Sequence, residues 1–445
     1  MSDESANCSG MDNFAAPSFA FVTGAQNYDL WGRPTTTWGS AGSFAPFAAE
    51  NGWLVQNPLL NVQHTISHMQ SVNAKVTLTP FKDFSINITM DRKYTNNKNS
   101  YYRYNDTLVT PEGIGYWEYQ NELNSGSLNF TTITWKTAFG SMDSTYLSDV
   151  FNEMRNYRTT ASAQFGIANG TNYIDSTGYY EGFGNNQQDV LISSFFAAYT
   201  GKGTANSPFN VFTAMPLPNW DIRYNGLSKL KFMKDLVKNF TLSHSYRSTV
   251  SVSNFQTNLA AFDPSGNQLM DQSNNFIPGT QVQSITITEQ FAPFIGIDAT
   301  WTIGENGLIT KFEYIRDRSL ALNIPNLQVM EMRGQEFVIG TGYKFSKLKM
   351  PFKFMGKTPE SDLNIRFDLN IRNNVSVARN IIEDTNQPTS GQRMYSLKFK
   401  VDYDLGANLN CAFYFDRLVN TPVLSNAYPT ANTACGISLR FNLAQ

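Results

Sequence analysis

The sequence contains no run of about 18 apolar residues, the length that a membrane-crossing helix requires. Its most apolar window, residues 190–199, is too short and carries Ser193 and Ser194. Charge is scarce as well: 16% of the residues are charged, against about 25% in an ordinary soluble domain. The 34 basic and 36 acidic residues nearly cancel, which excludes the basic footprint of a nucleic-acid-binding protein. The cysteines, Cys8, Cys411 and Cys435, are too few and too far apart for a disulfide framework or a metal pattern. Cys411 falls in phase with apolar neighbours, the place of a small hydrophobe. His64 and His68 sit about 13 Å apart if they lie on a strand, too far for one metal ion. No Ser-His-Asp or Cys-His arrangement is present, and Gly182-Phe-Gly184 and Gly340-Thr-Gly342 lack the third glycine and helix of a phosphate loop. Inside a strand, Gly340-Thr-Gly342 instead marks a close backbone approach or a bend. The chain therefore reads as non-enzymatic, with no catalytic, cofactor-binding or metal-binding residues. Residues 1–10 show neither the basic nor the apolar segment of a signal peptide, so an exported chain of this sequence is expected to be the downstream part of a longer protein.

What the sequence has in abundance is alternation. Residues 363–372 read Leu-Asn-Ile-Arg-Phe-Asp-Leu-Asn-Ile-Arg. Leu363, Ile365, Phe367, Leu369 and Ile371 are apolar; Asn364, Arg366, Asp368, Asn370 and Arg372 are polar or charged. Period two puts the two sets on opposite faces of a strand, and a helix would scatter them. The stretch matches the 9–11 residues, roughly, that a tilted strand needs to cross a bilayer. The first set is expected to face lipid and the second a wet lumen.

The pattern repeats along the chain. Residues 1–60 have no sustained period and read as an irregular N-terminal segment, with one early strand near 18–23. Wall strands are expected over 61–139. Val62, His64 and Ile66 share a face, a turn falls at 80–83, and Phe84, Ile86, Ile88 and Met90 alternate with polar residues. A strand over 128–139 changes phase between Phe130 and Ile133, as at a bulge. Residues 140–218 change character. Tyr146, Val150, Met154 and Tyr157 recur at helical spacing, which predicts a helix over 144–164, and a second is expected over 187–199, stopped by Gly201. This helical insertion belongs inside the lumen or beyond the membrane, because lipid does not tolerate irregular backbone. Strands resume over 219–445: 220–224, a strand through Leu242 and His244, 282–288, 295–303, a tight type I′ turn at Asn306-Gly307, and then the strands through Phe312, Ile339 and Phe367. In the next strand Lys398 and Lys400 oppose Leu397, Phe399 and Val401; the last strand sets Arg440 against Leu439 and Phe441. Lys398, Lys400 and Arg440 join the expected lumen set, and Leu439 and Phe441 the lipid set. Tyr101, Tyr102, Trp220, Tyr395 and Tyr403 read as an interfacial aromatic girdle. The fold class is all-β, an antiparallel transmembrane β-barrel wall with a short helical insertion. Repetition of charged residues in register over long strands favours this over a soluble sandwich.

Several stretches resemble the C-terminal part of the SprA (Sov) family, the outer-membrane translocon of the type IX secretion system in Bacteroidota. They include 78–84, 133–139, 151–158, 188–202 (Gln-Asp-Val-Leu-Ile-Ser-Ser-Phe-Phe-Ala-Ala-Tyr-Thr-Gly-Lys), 216–227, 240–250, 312–322, 336–343, 384–391 and 413–445, the last ending Ser-Leu-Arg-Phe-Asn-Leu-Ala-Gln. Ser194 stands where the resemblance leads one to expect proline, and Ser245 where it leads one to expect glycine. The resemblance implies a segment of the pore wall of a protein-conducting barrel in the cell outer membrane, with lipid, exported protein cargo, and side-gating and periplasmic plug proteins as partners. This is a role in protein secretion and gliding motility at the cell surface. The family is far longer than this chain, which implies that the chain alone forms a curved open sheet, or a forced small barrel that pairs its last strand with one near residues 18–80. A small-solute porin or a TonB-dependent uptake barrel would have the same strand pattern; a soluble β-rich surface protein is the third reading.

Overall fold

The computed structural model describes residues 44–441, apart from 51, 53, 60–61, 111–112, 141, 144, 202, 204–210, 305, 350, 352–357, 359, 384, 407–408 and 425–426. The strand expected near 18–23 and Cys8 lie outside the described residues, as does part of the turn at 407–408. After a short helix α1 (Phe44–Glu50), in the segment read as irregular, come β1 (His64–Leu78), β2 (Phe84–Thr110) and β3 (Gly113–Thr131). Helix α2 (Asp149–Asn169), the small hairpin β4 (Tyr173–Ile174) and β5 (Tyr179–Tyr180), and helix α3 (Gln188–Tyr199) follow. The wall resumes with β6 (Asn219–Tyr224), β7 (Val237–Thr257), β8 (Thr280–Trp301), β9 (Leu308–Asn323) and β10 (Gln328–Lys349). It continues with β11 (Glu360–Asn380), β12 (Asn386–Gly406), β13 (Leu409–Pro422) and β14 (Thr430–Phe441).

All strands but the small hairpin form one 12-stranded antiparallel sheet, in the order β1-β2-β3-β7-β8 and then serially to β14. The all-β wall with a helical insertion is thus the architecture. Among the described residues β1 pairs with β2 and β14 with β13, so both outer edges are open.

The insertion is spliced into one strand line. Strands β3 and β6 both pair antiparallel with β2 and β7, β3 over one half of their length and β6 over the other. Thr131 ends the first half beside Asp91, and Asn219 opens the second opposite Thr89. The chain leaves the wall between them. The wall therefore stops at Thr131, not at 139. The phase change at Phe130 marks this departure, and Trp135–Thr137 is a 3₁₀ turn, not a bulged strand. Helix α2 runs to Asn169, five residues past the expected end, and closes on Gly170, whose φ of 67° is the left-handed conformation that glycine adopts without strain. Helix α3 starts as expected, capped by the Gln187 side chain.

Two further expectations change. The strands expected over 282–288 and 295–303 are one strand, β8, which ends at Trp301 and has a bulge between Phe291 and Ile295 in its pairing with β9. Trp301 pairs with Leu308, so the link between β8 and β9 runs over 302–307, with positive φ at Gly304 and Gly307, and the two-residue hairpin expected at Asn306-Gly307 does not form. Asn306 instead donates its side-chain amide to the Lys344 carbonyl at 2.8 Å, fastening the link to β10.

The core lies between the insertion and the sheet. Phe195, Phe196, Leu191 and Tyr199 of α3 and Phe151 and Met154 of α2 pack on Leu128, Val250, Val252, Ile285, Ile287, Leu320 and Leu322. Helix α3 is buried on almost all sides, which fits a helix apolar all round.

Candidate membrane interface

Register assigns each alternating residue to a face, since directly opposed partners share one. Leu363, Ile365, Phe367, Leu369 and Ile371 oppose Phe345, Tyr343, Thr341, Ile339 and Phe337 on one side and Tyr403, Val401, Phe399, Leu397 and Tyr395 on the other. The ladder continues to Cys411 and Phe413 on β13, and to Leu439 and Ile437 on β14, with Phe441 opposite Leu409. Towards the other edge it runs through Phe312, Ile297, Leu242, Tyr224 and Phe84. All seven residues read as lipid-facing stand on this one apolar face. Much of it is bare: Ile339 is 39% exposed and Ile437 70%. Contiguous exposed apolar surface on this scale marks an interaction surface. On β13 the apolar run ends at Phe415, because Arg417 takes the next position on that face.

Aromatic rows border the band. On one side Trp220, Tyr246, Phe291, Phe294, Tyr314 and Phe337 form an unbroken chain of ring contacts at 4.6, 4.8, 5.3, 6.1 and 4.7 Å. On the other lie Trp301, Tyr343 against Phe345 at 4.5 Å, Tyr403, and the cluster of Phe81, Phe84 and Tyr224. Phe337 to Phe345 is about 27 Å along a strand at ~3.4 Å per residue. A tilt of about 40° reduces this to roughly 20 Å of height, near the ~25 Å apolar band of outer-membrane barrels. Trp220, Tyr395 and Tyr403 belong to these rows. Tyr101 and Tyr102 do not: they lie far up β2, where Tyr102 stacks on Trp117 at 5.6 Å.

The opposite face is polar. Asn364, Arg366, Asp368, Asn370 and Arg372 oppose Asp402, Lys400, Lys398, Ser396 and Met394, and Arg440 opposes Asn410. All eight residues read as lumen-facing stand on this face. Arg372 bonds Glu336 at 2.9 Å and Asp317 at 3.3 Å, while Arg366 pairs with Asp368 at 2.7 Å and Lys400 with Asp402 at 2.8 Å. Such half-exposed pairs contribute little stability each; they keep a charged face neutral. A Cβ at Gly340 would sit 3.0 Å from the Asp368 carboxylate, so the glycine admits the ion-paired side chains of its neighbours.

The helices sit on the apolar face, not the polar one. Strands β9 and β10 pair without a shift from Leu322 and Val329 to Leu308 and Tyr343. Leu320, Leu322 and Val329, under the helices, therefore share a side with the bare Phe312 and Ile339. If the polar face is the lumen, the insertion is outside it. Apart from the six-residue β6, the wall strands run from 12 residues in β14 to 27 in β2, longer than one bilayer crossing, and the insertion covers the further half of β7 to β9.

A buried clamp fixes the insertion there, and nothing in the sequence analysis anticipated it. The residues 132–147 cross β9, β10 and β11, and each strand offers them an arginine. Arg318 donates to the Thr137 carbonyl at 2.7 Å, Arg333 to that of Gly140 at 2.6 Å, and Arg379 to that of Tyr146. Glu289 pairs with Arg318 at 2.8 Å and accepts from Tyr246 and Thr134 at 2.8 and 2.7 Å; Glu331 pairs with Arg379 at 2.7 Å and with Arg333. The Asp143 side chain, bonded to Thr145 and the Leu147 N–H, shapes the arm, and the Thr145 hydroxyl bond foremost holds its pKa below the ordinary 3.8. In α3, burial first and the Glu331 charge second raise the Tyr199 hydroxyl above the usual tyrosine range. A signal was available: Arg318 and Glu331 occupy the apolar phase of their strands, between residues such as Leu320 and Val329, where a charge needs a buried partner.

Among the described residues no group of three His, Cys, Asp or Glu is placed to hold a metal ion, and no helix is long and apolar enough to cross a membrane. No family model matches the chain, and no curated protein matches it. Among solved structures, the chain is similar to OmpT, an in-vitro folded outer-membrane protein of Vibrio cholerae in its trimer form. The two are 9% identical with a TM-score of 0.19, over 86% of this chain and 99% of that one.

Proposed function

We propose that this chain is part of the wall of an outer-membrane, protein-conducting translocon of the type IX kind, carrying folded cargo to the cell surface. The observation behind it is the sheet itself. One face carries an apolar band between two aromatic rows, the other is charged and ion-paired, and both outer edges are open among the described residues. A band of that height suits lipid, and a charged face suits an aqueous path. An open edge in lipid leaves backbone groups unpaired, so this wall needs further strands to close. The specific kind of pore rests on the stretches quoted above, such as 188–202 and 413–445. Lipid, cargo, and side-gating and plug proteins are the partners this reading carries.

The test is conductance in planar bilayers with the refolded 445-residue chain, together with cargo export in cells whose copy lacks β12 to β14. The expected results are no uniform channel from the isolated chain and loss of cargo from the cell surface. Uniform small channels with export intact would assign the chain to the solute-porin class instead.

A further inference from the structure

The two ends of the wall differ in charge. The links 258–279, 324–327, 381–385 and 423–429 contain no lysine or arginine. At the opposite end, beside the Trp301 and Tyr343 row, the link 225–236 alone carries Lys229, Lys231 and Lys234, with Lys238 just beyond. Lys82 stands in the neighbouring link 79–83, and Lys347 and Lys349 lie at the end of β10. The tetrapeptide Ser-Lys-Leu-Lys occurs twice at this rim, at 228–231 and at 346–349.

Hydrogen bonds stitch the rim together. The Asn225 N–H donates to the Asp83 carbonyl at 2.9 Å, and Lys229 pairs with Asp83. The Thr302 N–H donates to the Leu236 carbonyl at 2.9 Å, and Asn306 reaches Lys344 and Ser346. Large apolar side chains stand among the lysines: Phe232 is 70% exposed, Phe81 55% and Leu236 53%. Lys82, Lys231, Lys234 and Lys347 are exposed too.

We infer that this rim binds the anionic phosphate headgroups of membrane phospholipid, with Phe81, Phe232 and Leu236 seated at the acyl boundary and the lysines reaching up to the phosphates. Two features select this occupant. The rim continues the apolar band past its aromatic border, at the depth where headgroups lie. Its charge complements an anionic surface, and long lysine stems bury against apolar groups while their ammonium groups stay in the headgroup layer. A protein partner would need a surface apart from the bilayer; this one is continuous with the band. The inference rests on the membrane reading above.

The test uses the full chain refolded in a zwitterionic detergent-free system of phosphatidylcholine vesicles, with and without phosphatidylglycerol. Association with phosphatidylcholine vesicles, read by flotation and not requiring a closed barrel, tests the membrane reading; failure to associate overturns both. With association established, a fluorescent phosphatidylglycerol probe doped into the same vesicles is expected to bind at least tenfold tighter than its phosphatidylcholine counterpart. Each lysine near a charged surface is worth about fivefold. The quadruple variant Lys82→Gln, Lys231→Gln, Lys234→Gln, Lys347→Gln is therefore expected to lose about 600-fold, the matching Lys→Arg set to retain binding, and Lys98→Gln, far up β2, to have no effect. Equal binding of both lipids, or no loss in the quadruple variant, overturns the inference alone. So does complete displacement by millimolar inorganic phosphate, which would make the rim a free-phosphate site.

Discussion

Arg379 Nη2 lies 2.7 Å from Glu331 Oε2, and both side chains are wholly removed from solvent. The pair sits where the arm 132–147 crosses the sheet, and Glu331 is shared with Arg333. Breaking such a pair strands a buried charge, at a cost of about 3–5 kcal/mol. Arg379→Met is expected to destabilise the docked insertion by that amount. Glu331→Gln is expected to cost no less, because it orphans two arginines. The double variant should cost less than the sum of the two. Urea unfolding followed by the fluorescence of Trp135 and Trp220, which meet edge to face at 6.3 Å, measures this. Additive losses would show that the two side chains do not act as a pair.

On β11, Phe367→Arg is expected to cost about 2–4 kcal/mol if lipid faces the apolar side near mid-band, and Asn364→Arg close to nothing. Heat-dependent gel mobility of the chain refolded in membranes reads out the difference. Equal damage at the two positions would remove the assignment of lipid to that face.

Phe195 is fully buried between α2, α3 and the sheet. Phe195→Ala is expected to cost about 3–5 kcal/mol through the cavity it leaves. The loss should fall on the insertion, read as faster proteolysis within 132–218, while the pairing of β8 to β12 persists in hydrogen exchange. Simultaneous loss of protection in those strands would mean that wall and insertion form one cooperative unit.

Asp143 has a folded pKa below its unfolded value, so its contribution is present above the ordinary aspartate range and is lost as pH falls through the lower folded value. Proteolytic protection of the arm 132–147 is therefore expected to fall below about pH 4. Asp143→Asn should lower protection at neutral pH and flatten the acid dependence. An unchanged acid profile in that variant would place the titration elsewhere.

By itself the sequence determined what is local. Period two in 363–372 assigned Phe367 and Arg366 to opposite faces, because a strand's side chains alternate regardless of its neighbours. The switch to helical spacing at Val150 and Met154 located the insertion, and Gly201 marked the end of its second helix, which runs to Tyr199. What only the tertiary structure decided depends on partners distant in the chain. That Thr131 and Asn219 belong to one strand line follows from their shared pairing with β2 and β7. The side on which the helices lie follows from the unshifted register of β9 against β10, which carries Leu322 and Phe312 on the same face. The grip of Arg318, Arg333 and Arg379 on the arm exists because three strands, each unaware of the others in sequence, align their charges under one backbone. Alternation is fixed by the geometry of a single strand, whereas register and cross-sheet contacts are fixed by which strands meet, and no local period encodes that.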